Sequence, residues 1–217
     1  MARVGVILSG CGKLDGSEIH EATLTLLHLA ELGLSYECIA PYEDLVVEMD
    51  HCTMTPTGAR RNAAREASRI ARTKVRDICE VRTGDYDALI FPGGLGAAKN
   101  LCNWFEKGPE CKVHNEVERL IEEYHAAKKP LGFICIAPVL AGAVLGHHGV
   151  ELTIGTDKGT ASRLESLGVK HFNHAVDEAH IDIKNLVVST PAYMLGPGIA
   201  DISKGIRKLV EAIKDMI

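Results

Sequence analysis

Three turns in this 217-residue chain hold the residue types that covalent chemistry on a carbonyl requires. Cys135 follows the apolar run Leu131-Gly132-Phe133-Ile134 and precedes Ile136-Ala137-Pro138. It therefore stands where a short buried strand turns into a helix of small residues. Such a turn puts the sulfur at the carboxyl edge of a sheet, where open α/β sheets bind ligands. It also aims unpaired N–H groups of a helix start at the sulfur, which favours thiolate. The second turn, Ser9 to Ser17, follows the run Val4 to Leu8 and leads into the acids Asp15, Glu18 and Glu21. The third, Gly93-Gly94, follows Ala88 to Phe91 and offers N–H groups that no side chain hinders. Nucleophile, oxyanion donors and acid would then share one crevice. A buried structural cysteine is the competing account of Cys135, because free Cys is among the most buried residue types.

The elements that must bring these turns together are legible in the hydrophobic pattern. Strands are expected at 4–8, 36–40, 88–91, 131–134 and 186–189, in one mainly parallel sheet with helices on both faces. Residues 181–183 and 186–189 flank Lys184-Asn185 and read as a hairpin. Val46 to Met49 and Glu151 to Ile154 read as short strands, and Pro56-Thr57-Gly58 as a turn. Ile19, Ala22, Leu26, Leu29 and Ala30 recur at helical spacing, and Gly33 closes that helix. Asp15 with Glu18 suggests a capping box at its start. Further helices are expected at 62–72, from Val113 to Tyr124, at 137–145, at 162–167 and from Ile199 to Ile217.

Composition narrows the partners. The formal net charge is -5, so nucleic acid is not expected as the main partner. Arg60, Arg61, Arg65, Arg69 and Arg72 fit a solvated helix face or a subunit contact. Gly10, Gly12 and Gly16 fail the dinucleotide fingerprint, whose third glycine position is taken by Asp15. Asp50-His51-Cys52 and His147-His148 lack the spacing of metal ligands, so no metal site is expected. The seven cysteines have irregular spacing and no C-x-x-C, which fits a reducing compartment. Arg3-Val4 enters a strand at once, and the longest uncharged run, Leu131 to Gly146, is short for a span and broken by Pro138. No signal peptide and no membrane segment are expected, and the cytoplasm is the expected location.

Five stretches together resemble the ElbB family, whose members are named enhancing lycopene biosynthesis protein or glyoxalase ElbB, within the PfpI-type class I glutamine amidotransferase-like superfamily. They are Ile7 to Gly12, Asp15 to Glu21, Phe91 to Leu101, Cys135-Ile136-Ala137-Pro138 and Thr190-Pro191-Ala192-Tyr193-Met194. The resemblance covers 3–212 and implies a single flavodoxin-like three-layer α/β sandwich over 1–217. It implies a glutathione-independent glyoxalase that converts methylglyoxal or glyoxal to a 2-hydroxy acid without a cofactor. It places Cys135 as the nucleophile and a glutamate of the first helix beside its sulfur. Counting back twelve residues from Gly33 gives Glu21, and Glu18 is the rival one turn earlier. The resemblance implies oxyanion N–H groups from Gly94 and Ile136, with Gly93, Pro191 and Tyr193 also bordering the substrate, and a homodimer. Two departures stand out. Ile136 replaces the His that follows the cysteine in many relatives, and Thr190-Pro191-Ala192 replaces the His-x-Glu of glutaminases. A glutaminase triad is absent. A thiol redox sensor, an accessory protein of isoprenoid metabolism without turnover, and a fold that only binds a ligand are the other readings.

Overall fold

The computed structural model describes residues 2–196 and 198–217. Strand β1 (Arg3–Ile7) sends Val4 and Val6 to one face and Ile7 to the other, as a period of two requires. Helix α1 (Ile19–Glu31) returns the chain to β2 (Ser35–Ala40). A small ribbon of β3 (Met49–Asp50) and β4 (Thr55–Pro56) precedes α2 (Ala63–Ala71) and the edge strand β5 (Arg76–Asp77). Next come β6 (Ala88–Phe91), the short helices α3 (Leu95–Lys99) and α4 (Trp104–Lys107), and α5 (Asn115–Ala126). Strand β7 (Leu131–Ile134) then feeds α6 (Pro138–Leu145). Beyond it lie β8 (Glu151–Leu152), α7 (Lys158–Glu165) and β9 (Lys170–His171). The hairpin strands β10 (His180–Asp182) and β11 (Val187–Thr190) lead to the final helix α8 (Ile199–Met216).

Seven strands form one sheet in the order β10-β11-β7-β6-β1-β2-β5. All pairs are parallel except the hairpin of β10 and β11. The chain runs outward from β1 to β2 and then crosses to β6 on the other side of β1. The crevice between the carboxyl ends of β1 and β6 is therefore the topological switch point, where such sheets bind ligands. The turns after β1, β6 and β7 meet there, as the hydrophobic pattern predicted.

Both faces of the sheet are covered. On one, Val4, Val6, Ile90 and Ile134 pack with α1 and α8. On the other, Leu89, Phe91, Leu131 and Phe133 pack with α5 and α6, and the Phe91 and Phe133 rings stack at 4.9 Å. Gly132 leaves room for α8: a Cβ there would sit 3.0 Å from Leu209. The buried stripe of α8, Ile202, Ile206, Leu209, Val210 and Ile213, is wholly enclosed. Each such side chain contributes roughly 1.5–3 kcal/mol of hydrophobic stabilisation.

Several boundaries differ from the sequence reading for local reasons. Helix α1 is capped by Glu18, whose carboxylate accepts the Glu21 N–H, so the expected Asp15 box does not form. Asp15 instead accepts the Met49 N–H at 2.8 Å. Helix α7 starts at Lys158, earlier than expected, because Asp157 accepts the Thr160 N–H and caps it there. Pro56 belongs to β4 and not to a turn, and β5 is a two-residue edge strand that has no hydrophobic period.

Candidate active site

Cys135 adopts φ 62°, a left-handed conformation uncommon for a residue with a side chain. Its N–H is held by the Thr190 carbonyl at 2.9 Å, so the strand hydrogen-bonding continues to the cysteine while the chain turns sharply beneath it. This strained strand-to-helix turn has the form of a nucleophile elbow. The nearby N–H groups of Gly94 and Ile136 act to lower the thiol pKa.

Glu21 lies beneath the elbow, fully buried. The Gly93 N–H donates to its Oε2 at 3.0 Å, and the Tyr193 N–H donates to its Oε1 at 3.3 Å. Its carboxyl lies beside Cys135: the point where a Gly93 Cβ would sit is 2.6 Å from Glu21 Oε2 and 2.5 Å from the Cys135 Cβ. Burial, with the Glu18 carboxylate second, pushes its pKa up to about 8 against the pull of these donors. The Cys135 thiol is itself pushed well up, by burial first and by the Glu21 charge next. The sequence reading expected a thiolate-favouring site. Desolvation outweighs the Gly94 and Ile136 N–H groups, because a sulfur enclosed by protein loses more hydration than two donors restore.

The turns lock together through their backbones. The Glu18 N–H donates to Gly93 O at 2.9 Å, Leu95 N–H to Lys13 O at 2.8 Å and Gly96 N–H to Gly16 O at 3.0 Å. Glycine is required at 93, where a Cβ would lie 2.5 Å from the Cys135 Cβ and 2.6 Å from Glu21 Oε2. Gly94 has φ 92°, and a Cβ there would collide with the backbone of Gly16 and Glu18.

Above the elbow opens a cavity of about 720 Å³. Cys135, Gly94, Ile136, Glu18 and Tyr193 border it, as expected. Two expectations are corrected. Gly93, expected to border the substrate, is absent from the lining, and its N–H donates to Glu21. Pro191 is absent from the lining; it begins the turn over Ala192–Met194, and its carbonyl accepts the Met194 N–H at 3.0 Å. The Glu18/Glu21 alternative resolves geometrically: Glu21 lies beside Cys135, and Glu18 caps α1 while reaching the cavity wall. His20 shares a 2.7 Å hydrogen bond with the Tyr193 hydroxyl at the rim. Lys13, Trp104, Phe105 and Arg163 complete walls that sequence reasoning missed. They come from a loop, α4 and α7, with no common spacing.

No protein-family model matches the chain. Among curated proteins it is 44% identical over 225 residues to human mitochondrial glutamine amidotransferase-like class 1 domain-containing protein 3, spanning 99% of this chain and 83% of the relative. The rat mitochondrial ES1 protein homolog is 43% identical over 225 residues, with 99% and 84% covered. The chain belongs to this ES1-type family of glutamine amidotransferase-like class 1 proteins. Among solved structures, an isoprenoid biosynthesis protein with an amidotransferase-like domain from Ehrlichia chaffeensis superposes with TM-score 0.92 at 32% identity, over 99% of this chain and 100% of that one. Drosophila melanogaster DJ-1beta shares the fold at TM-score 0.58 and 14% identity, over 99% and 95%. The ES1-type chain thus carries the α/β fold of the DJ-1/PfpI proteins, a mainly parallel sheet flanked by helices. No described helix is long and apolar enough to cross a membrane. No three His, Cys, Asp or Glu among the described residues are grouped to hold a metal ion.

Proposed function

We propose that this chain is a cofactor-independent glyoxalase of the ElbB type, converting a 2-oxoaldehyde to a 2-hydroxy acid. The observation that carries the reading is the fully buried Glu21 carboxyl against the Cys135 thiol on the floor of the cavity. A carboxyl with a pKa near 8 is a far stronger base than an ordinary one and is still partly ionised at neutral pH. The ElbB assignment draws on the likeness to the Ehrlichia isoprenoid biosynthesis protein.

In this mechanism the Glu21 carboxylate takes the thiol proton as sulfur adds to the aldehyde carbon. The Gly94 and Ile136 N–H groups hold the resulting alkoxide, which receives that proton from Glu21 and becomes a hemithioacetal. Glu21, again a carboxylate, removes the hydrogen on the former aldehyde carbon to give an enediolate and returns it to the neighbouring carbon, while the hydroxyl proton of the former aldehyde passes to the ketone oxygen. The ketone is thereby reduced and the aldehyde carbon oxidised to a thioester. Water hydrolyses the thioester, releasing the hydroxy acid and the thiol. No outside oxidant is consumed.

A sensor thiol is oxidised through an exposed thiolate, whereas Cys135 is 8% exposed and its pKa is raised. The seven cysteines are free, which suits a reducing compartment such as the cytoplasm, and equally the mitochondrial compartment in the relatives' names. The protein is expected to work as a homodimer, which light scattering checks. The deciding assay follows lactate formation from methylglyoxal by wild type, Cys135→Ser and Glu21→Gln. Turnover in wild type that both substitutions abolish supports the reading, and equal activity in all three proteins overturns it.

A further inference from the structure

The cavity does not match a neutral, minimal 2-oxoaldehyde. Pockets for drug-sized ligands occupy about 300–1,000 Å³, a range that brackets the 720 Å³ found here. Methylglyoxal, with a handful of heavy atoms, would leave most of it empty. Its lining is also charged. Lys13 and Arg163 both border the cavity, and neither forms an ion pair with any described carboxylate. Asp157 feels the Arg163 charge but is occupied in capping α7. The one acid on the wall, Glu18, is engaged by the Glu21 N–H. Lys13 is anchored to the site, since its carbonyl accepts the Leu95 N–H beside Gly94. Trp104 and Phe105 supply an apolar wall, and Phe105 is braced by the Lys99 ammonium 4.5 Å from its ring centre.

We propose that the substrate is a 2-oxoaldehyde bearing an anionic tail, a carboxylate or phosphate, which Lys13 and Arg163 select across the apolar wall. The inference rests on the glyoxalase reading for the reacting end and on the cavity alone for the tail. Lys13 and Arg163 are exposed residues of the lining, so their combined charge draws an anion toward the cavity and is screened by salt. With 4,5-dioxovalerate as the probe, the aldehyde carbon is oxidised to a carboxylate and the adjacent ketone reduced to a carbinol. One water is taken up, and the product is 2-hydroxyglutarate.

The test compares kcat/KM for 4,5-dioxovalerate and methylglyoxal. The expected ratio is roughly tenfold or more in favour of the anion, falling as salt is added. Lys13→Gln and Arg163→Gln should each lower that ratio severalfold. Calorimetry on the full chain separates the tail from the chemistry by titrating 2-hydroxyglutarate and inorganic phosphate. Binding weakened by either substitution supports the tail site, and the tighter of the two anions identifies the tail. If neither aldehyde is turned over but the anions bind through Lys13 and Arg163, the glyoxalase reading fails and the anion site stands. If methylglyoxal is processed with no preference for the anion and neither anion binds, the inference is overturned while the glyoxalase reading survives. Circular dichroism of both variants excludes misfolding as the cause of a lowered ratio.

Discussion

At the scale of single residues, chemistry turns on how burial divides protons between Glu21 and Cys135. In the proposed mechanism Glu21 acts in its ionised form, so glyoxalase turnover should rise with pH and level off above about 8, where the carboxyl has lost its proton. A flat pH–rate profile from pH 6 to 9 would remove Glu21 as the base. Glu21→Gln should cost about 10²–10⁴-fold in kcat, the usual worth of a positioned acid or base. Glu18→Gln tests the neighbouring charge separately. The Glu18 carboxylate is the second cause that holds the Glu21 pKa up, so its removal should move the pH–rate limb to lower pH. That substitution keeps an acceptor at the helix cap, so a stability loss beyond about 1 kcal/mol is not expected. Alkylation of Cys135 should be slow at neutral pH and accelerate only at higher pH than for an ordinary thiol, because the thiol is pushed up by burial and by Glu21. Rapid alkylation at pH 7 would contradict that direction.

At the scale of elements, the site depends on turns that approach each other closer than side chains allow. Gly93→Ala would set a methyl 2.5 Å from the Cys135 Cβ and 2.8 Å from the Ile134 carbonyl. Neither neighbour is a flexible side-chain end, so the elbow must shift. We expect turnover to be lost and stability to fall by about 1–3 kcal/mol, the usual cost of overpacking, as read from denaturant midpoints and lactate formation. Behind the elbow, Leu209 of α8 packs against Gly132 of β7. Leu209→Ala should destabilise by about 2–5 kcal/mol, the range for a buried Leu, while the local geometry of the turns changes little. Loss of activity without loss of stability in that variant would show that α8 reaches the site more directly than its packing implies.

At the scale of the whole molecule, Glu21 couples the site to stability. Its folded pKa, about 8, exceeds the unfolded carboxyl value, so the folded state holds the extra proton between roughly pH 4.5 and 8. Its contribution is therefore most favourable below that window, declines as pH rises through it and is constant above it. The slope is at most about 1.4 kcal/mol per pH unit for one proton. Glu21→Gln should flatten this part of the stability curve and be more stable than wild type near pH 8. An unchanged curve would mean that the carboxyl is hydrated in solution. In the proposed mechanism the buried carboxyl costs stability in the pH range where it would act as a base.

The sequence by itself determined the sheet, its edge strand β5 apart, and the position of the turns after β1, β6 and β7. Runs such as Ala88 to Phe91 and Leu131 to Ile134 are apolar at every residue or broken only by Gly132, and a parallel strand covered on both faces has no other pattern available. The cysteine at the end of β7 and the glycines at the end of β6 were legible for the same reason: each interrupts an apolar run at a strand's carboxyl end. Glu21 and Glu18 were both named, but choosing between them needed the rotation of α1 about its axis. That rotation follows from the local Glu18 cap together with the Glu18 N–H bond to Gly93, a contact between residues far apart in the chain. The acidity of the thiol was misjudged because helix N–H groups are visible as sequence, whereas desolvation is a property of everything packed around the sulfur. Lys13, Trp104, Phe105 and Arg163 gave no signal at all, since no periodicity links a loop, α4 and α7. Only the tertiary packing that brings α4 and α7 to the cavity makes them one wall.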